Sequence, residues 1–203
     1  MDNKELFVNL IKDIKREGIE DLLAWLESST FYTDPASASY HSNYPRGLLD
    51  HSIMVYKILR ALCKINKINV SEDTIKIVSL FHDLVKVGSY DISLKNIKNE
   101  RTNNKWQSVM YYQNKDNNQV LSHGLTSAYL LTKYIELTEE EFTAICYHMG
   151  PWSVCEGEDK VYKRAIAKYP IVLLLHHADS EASFIHEPQF DILDIPWLEN
   201  NLE

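Results

Sequence analysis

The spacing of apolar residues predicts an all-α protein, because they recur every three to four positions along most of the chain. Glycine and proline divide this pattern into segments: Gly18 ends the first helix, Gly150 follows a later one, and Pro170 opens the last long one. Ser71 is a predicted N-cap, and Thr138 opens a capping box. The predicted helices span residues 4–15, 19–26, 48–62, 72–85, 121–134, 139–148, 159–168 and 171–184.

Three stretches depart from the helical pattern. Residues 28–47 are rich in turn formers, hydroxyls and aromatic residues, and so long a loop inside a compact domain is usually functional. Within residues 91–119, Asn103 and Asn104 form a predicted turn between Ile97 and Trp106, so we expect a small inserted β-hairpin. The acidic tail over residues 187–203 contains two prolines, and we expect it to pack loosely.

The helix predicted over residues 72–85 is apolar on nearly all sides, which indicates a central position in the fold. It nevertheless contains His82 and Asp83. Burying two polar side chains costs free energy unless each is hydrogen-bonded or binds a cation. Lys86 follows Asp83 by three residues and is predicted to share its face. This face therefore offers a nitrogen ligand, an anionic oxygen ligand and a cation.

Composition narrows the class of protein. A chain of 203 residues with 45% hydrophobic and 25% charged residues is typical of one globular domain. The net charge of −8 argues against a broad surface for duplex nucleic acid. Neither a signal-peptide core nor a membrane-spanning run is apparent, so no membrane partner is expected. Cys63, Cys146 and Cys155 lack paired metal-type spacing and indicate reduced thiols in a cytoplasmic protein.

Four histidines and two aspartates fall within or at the end of predicted apolar helices, where a solvated charge would be out of place. A single histidine in such a place is more often a hydrogen-bonded core residue, so the prediction depends on the whole set. Helices packed as a bundle can bring such residues to one site. Imidazole with carboxylate suits Mn, Fe, Zn, Ni or Co. The candidate metal ligands are His51, His82, Asp83, His123, His148 and Asp179.

The order of these residues resembles that of the HD-domain superfamily of metal-dependent phosphohydrolases. The local sequences carry the likeness: GLLDH ends at His51, FHDLVK begins at Phe81, and HHAD ends at Asp179. The chain is similar to small HD hydrolases of Firmicutes and their phages, and to the HD domain of bacterial 3′→5′ exoribonucleases. The resemblance implies an HD-domain helical bundle in a single domain over residues 1–203. Its parts would be N-terminal helices over 1–30, an HD core over 35–185 and the tail.

The resemblance also implies a centre of two divalent transition-metal ions, with Asp83 as the bridging ligand. His123 and His148 would complete the second ion's ligands, and the other three candidates would hold the first ion together with Asp83. Hydrolysis would use a metal-activated hydroxide, since coordination lowers the pKa of water from 15.7 toward about 7.

Three basic side chains are candidates to contact the substrate. Lys86 is a candidate phosphate clamp and catalytic residue, although a helix end also favours a lysine. Arg46 and His41, on the loop before His51, are candidates to contact a phosphate, and His41 also to act catalytically as a general acid. Loop cations are often merely solvated, so these two assignments are the weaker ones.

The chain departs from the family pattern in two places, of which only the second bears on the substrate. Val85 stands where HD proteins often have Gly or Cys, and the exoribonucleases carry an N-terminal nucleic-acid-binding module that two short helices do not match. Trp106, Tyr111 and Tyr112 could stack on a base, but we favour packing within the hairpin. A small nucleotide or short phosphodiester is therefore expected in preference to long RNA.

The leading hypothesis is a cytoplasmic phosphohydrolase or phosphodiesterase acting on a nucleotide or short oligonucleotide. Two alternatives stay open. An HD-type di-iron oxygenase would use the same six ligands and would be identified by two irons and oxygen uptake. A non-catalytic, metal-stabilised binding module would bind its ligand without turnover. The sequence leaves the oligomeric state open.

Overall fold

The computed structural model describes residues 2–115, 120–153 and 159–197. Over these residues the chain forms eight α-helices and one two-stranded antiparallel sheet, which confirms the predicted fold class. The strands are β1 (Tyr90–Asn99) and β2 (Lys105–Asn114). The helices are α1 (Asn3–Lys12), α2 (Ile19–Ser28), α3 (Gly47–Ile65), α4 (Glu72–Phe81), α5 (His123–Leu131), α6 (Glu139–Cys146), α7 (Asp159–Lys168) and α8 (Ile171–Glu181).

Helices α3, α4, α6 and α8 form the centre of the bundle. Helix α3 packs against α4 and α8, and α6 packs against the same two helices. Every residue of α4 from Thr74 to Phe81 is buried, so the prediction of a central helix is confirmed. The Phe7 ring packs edge-on to Phe81 with ring centroids 6.2 Å apart, which attaches α1 to this core. Each such buried side chain contributes about 1.5–3 kcal/mol.

The N-terminus of α6 is fixed by a buried carboxylate. Thr138 and Glu141 form the predicted capping box, with each side chain bonded to the other's backbone N–H. The same Glu141 carboxylate accepts two hydrogen bonds of 3.0 Å from the Arg16 guanidinium. It also accepts one of 3.0 Å from the Thr74 hydroxyl on α4. One side chain thus joins α6, α4 and the segment between α1 and α2.

Helices α5 and α6 approach each other unusually closely at Gly124. A Cβ atom at this position would lie 2.5 Å from the backbone oxygens of both Ile145 and Cys146. Only glycine permits this backbone-to-backbone contact. As a result, the start of α5, with His123, lies beside the end of α6, two residues before His148.

The β-hairpin leaves the bundle shortly after Lys86. Asn103 and Asn104 both adopt left-handed backbone angles, with φ of 56° and 58°, as the predicted asparagine turn requires. Tyr112 is buried and its ring centroid lies 4.8 Å from that of Trp197, whereas Trp106 is exposed. Tyr112 is therefore packed, as the sequence favoured, whereas the exposed Trp106 contradicts that expectation.

Two further sequence expectations concern membranes and cysteines. Within the described part of the chain, no helix has the length and apolar character that a membrane span needs. Cys63 is buried and Cys146 partly buried, and both are free thiols. The third cysteine, Cys155, lies outside the described residues.

Candidate metal centre

The centre begins where α4 ends. The sequence predicted helix through Val85, but α4 stops at Phe81, so this boundary was wrong. Asp83 adopts φ −109° and ψ 22°, and a 3₁₀ turn follows over Leu84–Lys86. In a continuous α-helix, consecutive side chains point about 100° apart. The break in the helix allows His82 and Asp83 to face the same centre.

The structure brings the predicted ligands together around the Asp83 carboxylate. Its Oδ1 lies 2.7 Å from His123 Nε2 and 3.5 Å from His148 Nε2. Its Oδ2 lies 3.4 Å from His51 Nε2 and 3.5 Å from His82 Nε2. One carboxylate therefore stands between two pairs of imidazoles.

Asp179, near the end of α8, adds a second carboxylate beside His51 and His82. Its Oδ1 lies 3.3 Å from His51 Nε2 and 4.0 Å from His82 Nε2, and those two nitrogens are 3.1 Å apart. The six residues thus form overlapping triplets whose ligand atoms are close enough to hold one ion. Two of these triplets share Asp83, whereas the triplet of His82, His148 and Asp179 crosses the division that the resemblance implies, so the assignment of each ligand to an ion stays a prediction.

Two histidine rings are oriented by the backbone of the helices that they follow, α4 and α6. His82 Nδ1 donates to Ser79 O at 2.8 Å, and His148 Nδ1 donates to Ile145 O at 2.7 Å. A proton on Nδ1 leaves the lone pair on Nε2, as in metal-bound histidine. His148 Nε2 is buried and has no hydrogen-bond partner among the described residues, which is costly unless a further atom binds it. An orphaned nitrogen aimed at a carboxylate fits a bound metal ion.

Electrostatics keep the two aspartates ionised. Burial alone would raise the pKa of Asp83, but the nearby Lys86 and His82 hold that pKa well below its usual range. Burial likewise acts against ionised Asp179, yet the hydrogen bond from His51 holds the pKa of Asp179 low. The buried Asp83 and the half-buried Asp179 are thus maintained as anions, the form that binds a metal ion.

The two histidines beside Asp179, His51 and His82, differ in charge. Burial lowers the pKa of His82 to about 4, so its imidazole is neutral and able to coordinate. Burial also acts to lower the pKa of His51, but Asp179, Asp83 and Glu187 together raise it well above its usual value. Carboxylates that hold a proton on a buried imidazole create a field that also favours a metal cation in its place. The donor set of nitrogen and carboxylate ligands therefore fits divalent transition metals.

The predicted substrate residues are placed unequally. Lys86 Nζ lies 2.6 Å from Asp83 Oδ2 and lines the cavity above the centre, as does His41. Arg46 does not reach the cavity: its guanidinium pairs with both carboxylate oxygens of Asp2 at 3.0 Å. We therefore do not retain Arg46 as a substrate contact.

Sequence reasoning missed Glu187, which accepts a hydrogen bond of 2.8 Å from His51 Nδ1. The expectation of a loosely packed tail is wrong for residues 187–190. Ser42 N donates to Pro188 O at 2.7 Å, and the Asn43 side chain exchanges two 2.8 Å hydrogen bonds with the backbone of Phe190. Glu187 lies 136 residues from His51, so no local spacing could reveal the contact.

A cavity of 470 Å³ opens above the centre. Its floor carries charged or ligand side chains, and its rim carries apolar side chains that the sequence did not single out. Two larger surface grooves, of 790 and 620 Å³, contain none of the candidate ligands, so size alone does not select the site. The floor includes Asp83, Lys86, His123 and Asp179, and the rim includes Tyr40, Met149 and Phe184.

The protein is an α-helical protein in which histidines and aspartates from several helices form a candidate centre for divalent metals. A family model described as HD domain matches residues 48–182, a span that contains all six candidate ligands. The chain therefore belongs to the HD-domain family, which is typical of metal-dependent phosphohydrolases. Searches of curated proteins and of solved structures found no match.

Proposed function

We propose that the protein is a metal-dependent phosphohydrolase or phosphodiesterase acting on a nucleotide or a short oligonucleotide. The observation that carries the proposal is Asp83, whose two oxygens face separate imidazole pairs at the floor of an open cavity. When bound there, divalent ions supply Lewis acidity and lower the pKa of a water ligand toward about 7. Two such ions would involve the six residues His51, His82, Asp83, His123, His148 and Asp179.

The other residues of the cavity have separate tasks in this proposal. Lys86 provides a fixed positive charge beside the centre, suited to binding a phosphate oxygen. His41 is held through Nδ1 by Glu187 at 2.9 Å, so Nε2 is the nitrogen that can exchange a proton with a ligand. A proton given by His41 to the leaving oxygen would complete hydrolysis.

The exposed aromatic residues at the rim of the cavity favour a substrate that carries a nucleobase. Tyr40 is 71% exposed and Phe184 is 88% exposed, and both line the cavity. Nucleobases stack on exposed aromatic rings of this kind. The net charge of −8 disfavours a long polyanion, whereas a nucleotide or short oligonucleotide presents few charges. A base on the rim and a phosphate on the floor would match the polarity of the cavity.

Metal-loaded protein is expected to release phosphate or mononucleotide from at least one member of a panel of nucleotides, dinucleotides and short oligonucleotides. The reaction should stop when a chelator removes the ions and resume when they are added back. Mn²⁺, Fe²⁺, Co²⁺, Ni²⁺ and Zn²⁺ are each to be tested, because the ligand set suits all of them. Binding of a nucleotide without turnover under every metal would instead indicate a binding module.

Phe184→Ala is expected to raise KM for the active nucleotide by about 5- to 150-fold, since stacking is worth roughly 1–3 kcal/mol per base. Ribose 5-phosphate has no base, so its weaker binding should not change. Ile185→Ala is the matched control, because Ile185 is the exposed neighbour but does not line the cavity. An equal loss with ribose 5-phosphate would show that Phe184 does not recognise the base.

A further inference from the structure

Glu187 lies outside the residues matched by the family model, yet it contacts the centre. It follows α8 and the π-helical turn Ala182–His186. Its side chain is only 4% exposed, unusual for a carboxylate in a polar terminal segment. Oε1 accepts from His51 Nδ1 at 2.8 Å, and Oε2 accepts from His41 Nδ1 at 2.9 Å. A single carboxylate thus connects a candidate ligand with the candidate general acid.

His51 differs from the other oriented imidazoles in what holds its Nδ1. His82 and His148 donate to neutral backbone carbonyls of the helices that precede them, whereas His51 donates to a charged carboxylate. A carboxylate partner fixes the ring and its tautomer, and it makes the opposite nitrogen a stronger donor to a metal. The nitrogen opposite is His51 Nε2, which faces Asp83 and Asp179.

The segment that carries Glu187 is itself anchored on the loop before α3. The Asn43 side chain exchanges two hydrogen bonds with the backbone of Phe190, and Ser42 N donates to Pro188 O. The Ser42 hydroxyl also donates to Glu187 Oε2 at 2.7 Å. The carboxylate is therefore held in place before any ligand binds, so binding does not have to order it.

We propose that Glu187 is a positioning residue that holds the His51 ring in the metal-binding tautomer and holds His41 at the edge of the cavity. The effect on His41 rests on the proposed hydrolysis, whereas the effect on His51 concerns metal binding alone. The ring centroids of His41 and His51 lie 5.0 Å apart, so one carboxylate can reach both.

Glu187→Gln tests this role with little change in shape. The amide provides one acceptor oxygen in place of two and removes the negative charge. We expect the affinity for Zn²⁺, measured by calorimetric titration, to fall about 10- to 100-fold, the usual effect of losing such a partner. In the Zn²⁺-loaded protein, long-range ¹H–¹⁵N spectra should show that the His51 Nδ1–H signal shifts or broadens, while the His82 signals stay in place.

Two further variants make the result decisive. Glu181→Gln removes an exposed carboxylate that pairs with His186, and it should leave Zn²⁺ affinity and the His51 signal unchanged. Glu187→Asp keeps the charge on a shorter side chain and should bind Zn²⁺ more tightly than Glu187→Gln. Wild-type affinity and an unchanged His51 signal in Glu187→Gln would overturn the proposal, as would an aspartate variant that binds no better than the glutamine one.

These measurements do not depend on turnover. If Glu187→Gln weakens Zn²⁺ binding but the wild type hydrolyses nothing in the panel, the role toward His51 stands and the proposed hydrolysis fails. If the wild type is active, Glu187→Gln should also lower kcat at saturating metal, since His41 loses its oriented ring. An unchanged kcat at saturating metal would refute the part of the proposal that concerns His41.

Discussion

Asp83→Asn is expected to lower the rate of hydrolysis at least about a thousandfold, because metal ions supply several kcal/mol of transition-state stabilisation. The carboxylate faces both imidazole pairs, with His123 Nε2 at 2.7 Å on one oxygen and His51 Nε2 at 3.4 Å on the other. An asparagine is neutral and presents an N–H donor to one of these pairs, where a ligand oxygen is needed. Bound metal, measured by elemental analysis after gel filtration, should fall below the wild-type content, from two ions to one or none if the proposed pair is bound.

His82→Ala should have the same effect on turnover, since it removes a neutral nitrogen ligand from the candidate metal centre. The matched control is His177→Ala, because His177 is an exposed histidine of α8 two residues before Asp179. It should leave metal content and rate within about twofold of the wild type, as expected of surface substitutions. Full activity in both Asp83→Asn and His82→Ala would refute the assignment of the centre.

Glu141→Ala is expected to reduce the free energy of unfolding by about 3 kcal/mol, the lower end of the loss from breaking a buried ion pair. The carboxylate is fully buried and accepts hydrogen bonds from Arg16, Thr74 and the backbone of Thr138. The lower end applies because the Arg16 side chain is 22% exposed and can recover some hydration. Urea denaturation of the metal-free protein at pH 7 measures the loss.

Glu139→Ala provides the comparison, because Glu139 lies in the same first turn of α6 but is 68% exposed and pairs with Lys168. Glu139→Ala should lower the free energy of unfolding much less than Glu141→Ala does, because an exposed ion pair contributes little. Burial alone would raise the pKa of Glu141, but its bonds to Arg16 and Thr138 hold that pKa below the usual carboxyl value.

The sign of this shift sets the pH dependence. A carboxyl group whose pKa is lowered by folding stabilises the protein above its unfolded pKa of about 4.3, and this stabilisation is lost as the pH falls through the folded-state pKa. The difference between wild type and Glu141→Ala should therefore be largest near neutral pH and shrink in acid. Equal effects of the two alanine variants at pH 7 would show that the buried network contributes little.

Local sequence signals predicted most of the helical framework. Ser71 and Thr138 were predicted as caps, and both side chains accept the expected backbone hydrogen bonds. The end of α4 could not be predicted in the same way, because the apolar pattern continues to Val85 while the helix stops at Phe81. The helix ends where two adjacent polar side chains must face one centre, a tertiary requirement that apolar spacing does not record.

Contacts between distant segments account for the other places where the structure differs from the sequence prediction. Arg46 pairs with Asp2, 44 residues earlier, and Glu187 meets His51, 136 residues away. The six ligand candidates are also far apart, but their order along the chain has a family resemblance, and four of them lie in short motifs that carry it. Glu187 lies in no such motif, and its role emerges only when residues 187–190 are placed against the loop before α3.

The contact at Gly124 determines how closely His123 and His148 can approach each other. His123 and His148 are brought together on neighbouring helices that meet with no side chain between them at this point. A methyl group there would act as a wedge, moving one imidazole away from the other without altering either. The geometry offered to the second ion would therefore depend on the smallest residue in the interface, at a position that coordinates nothing.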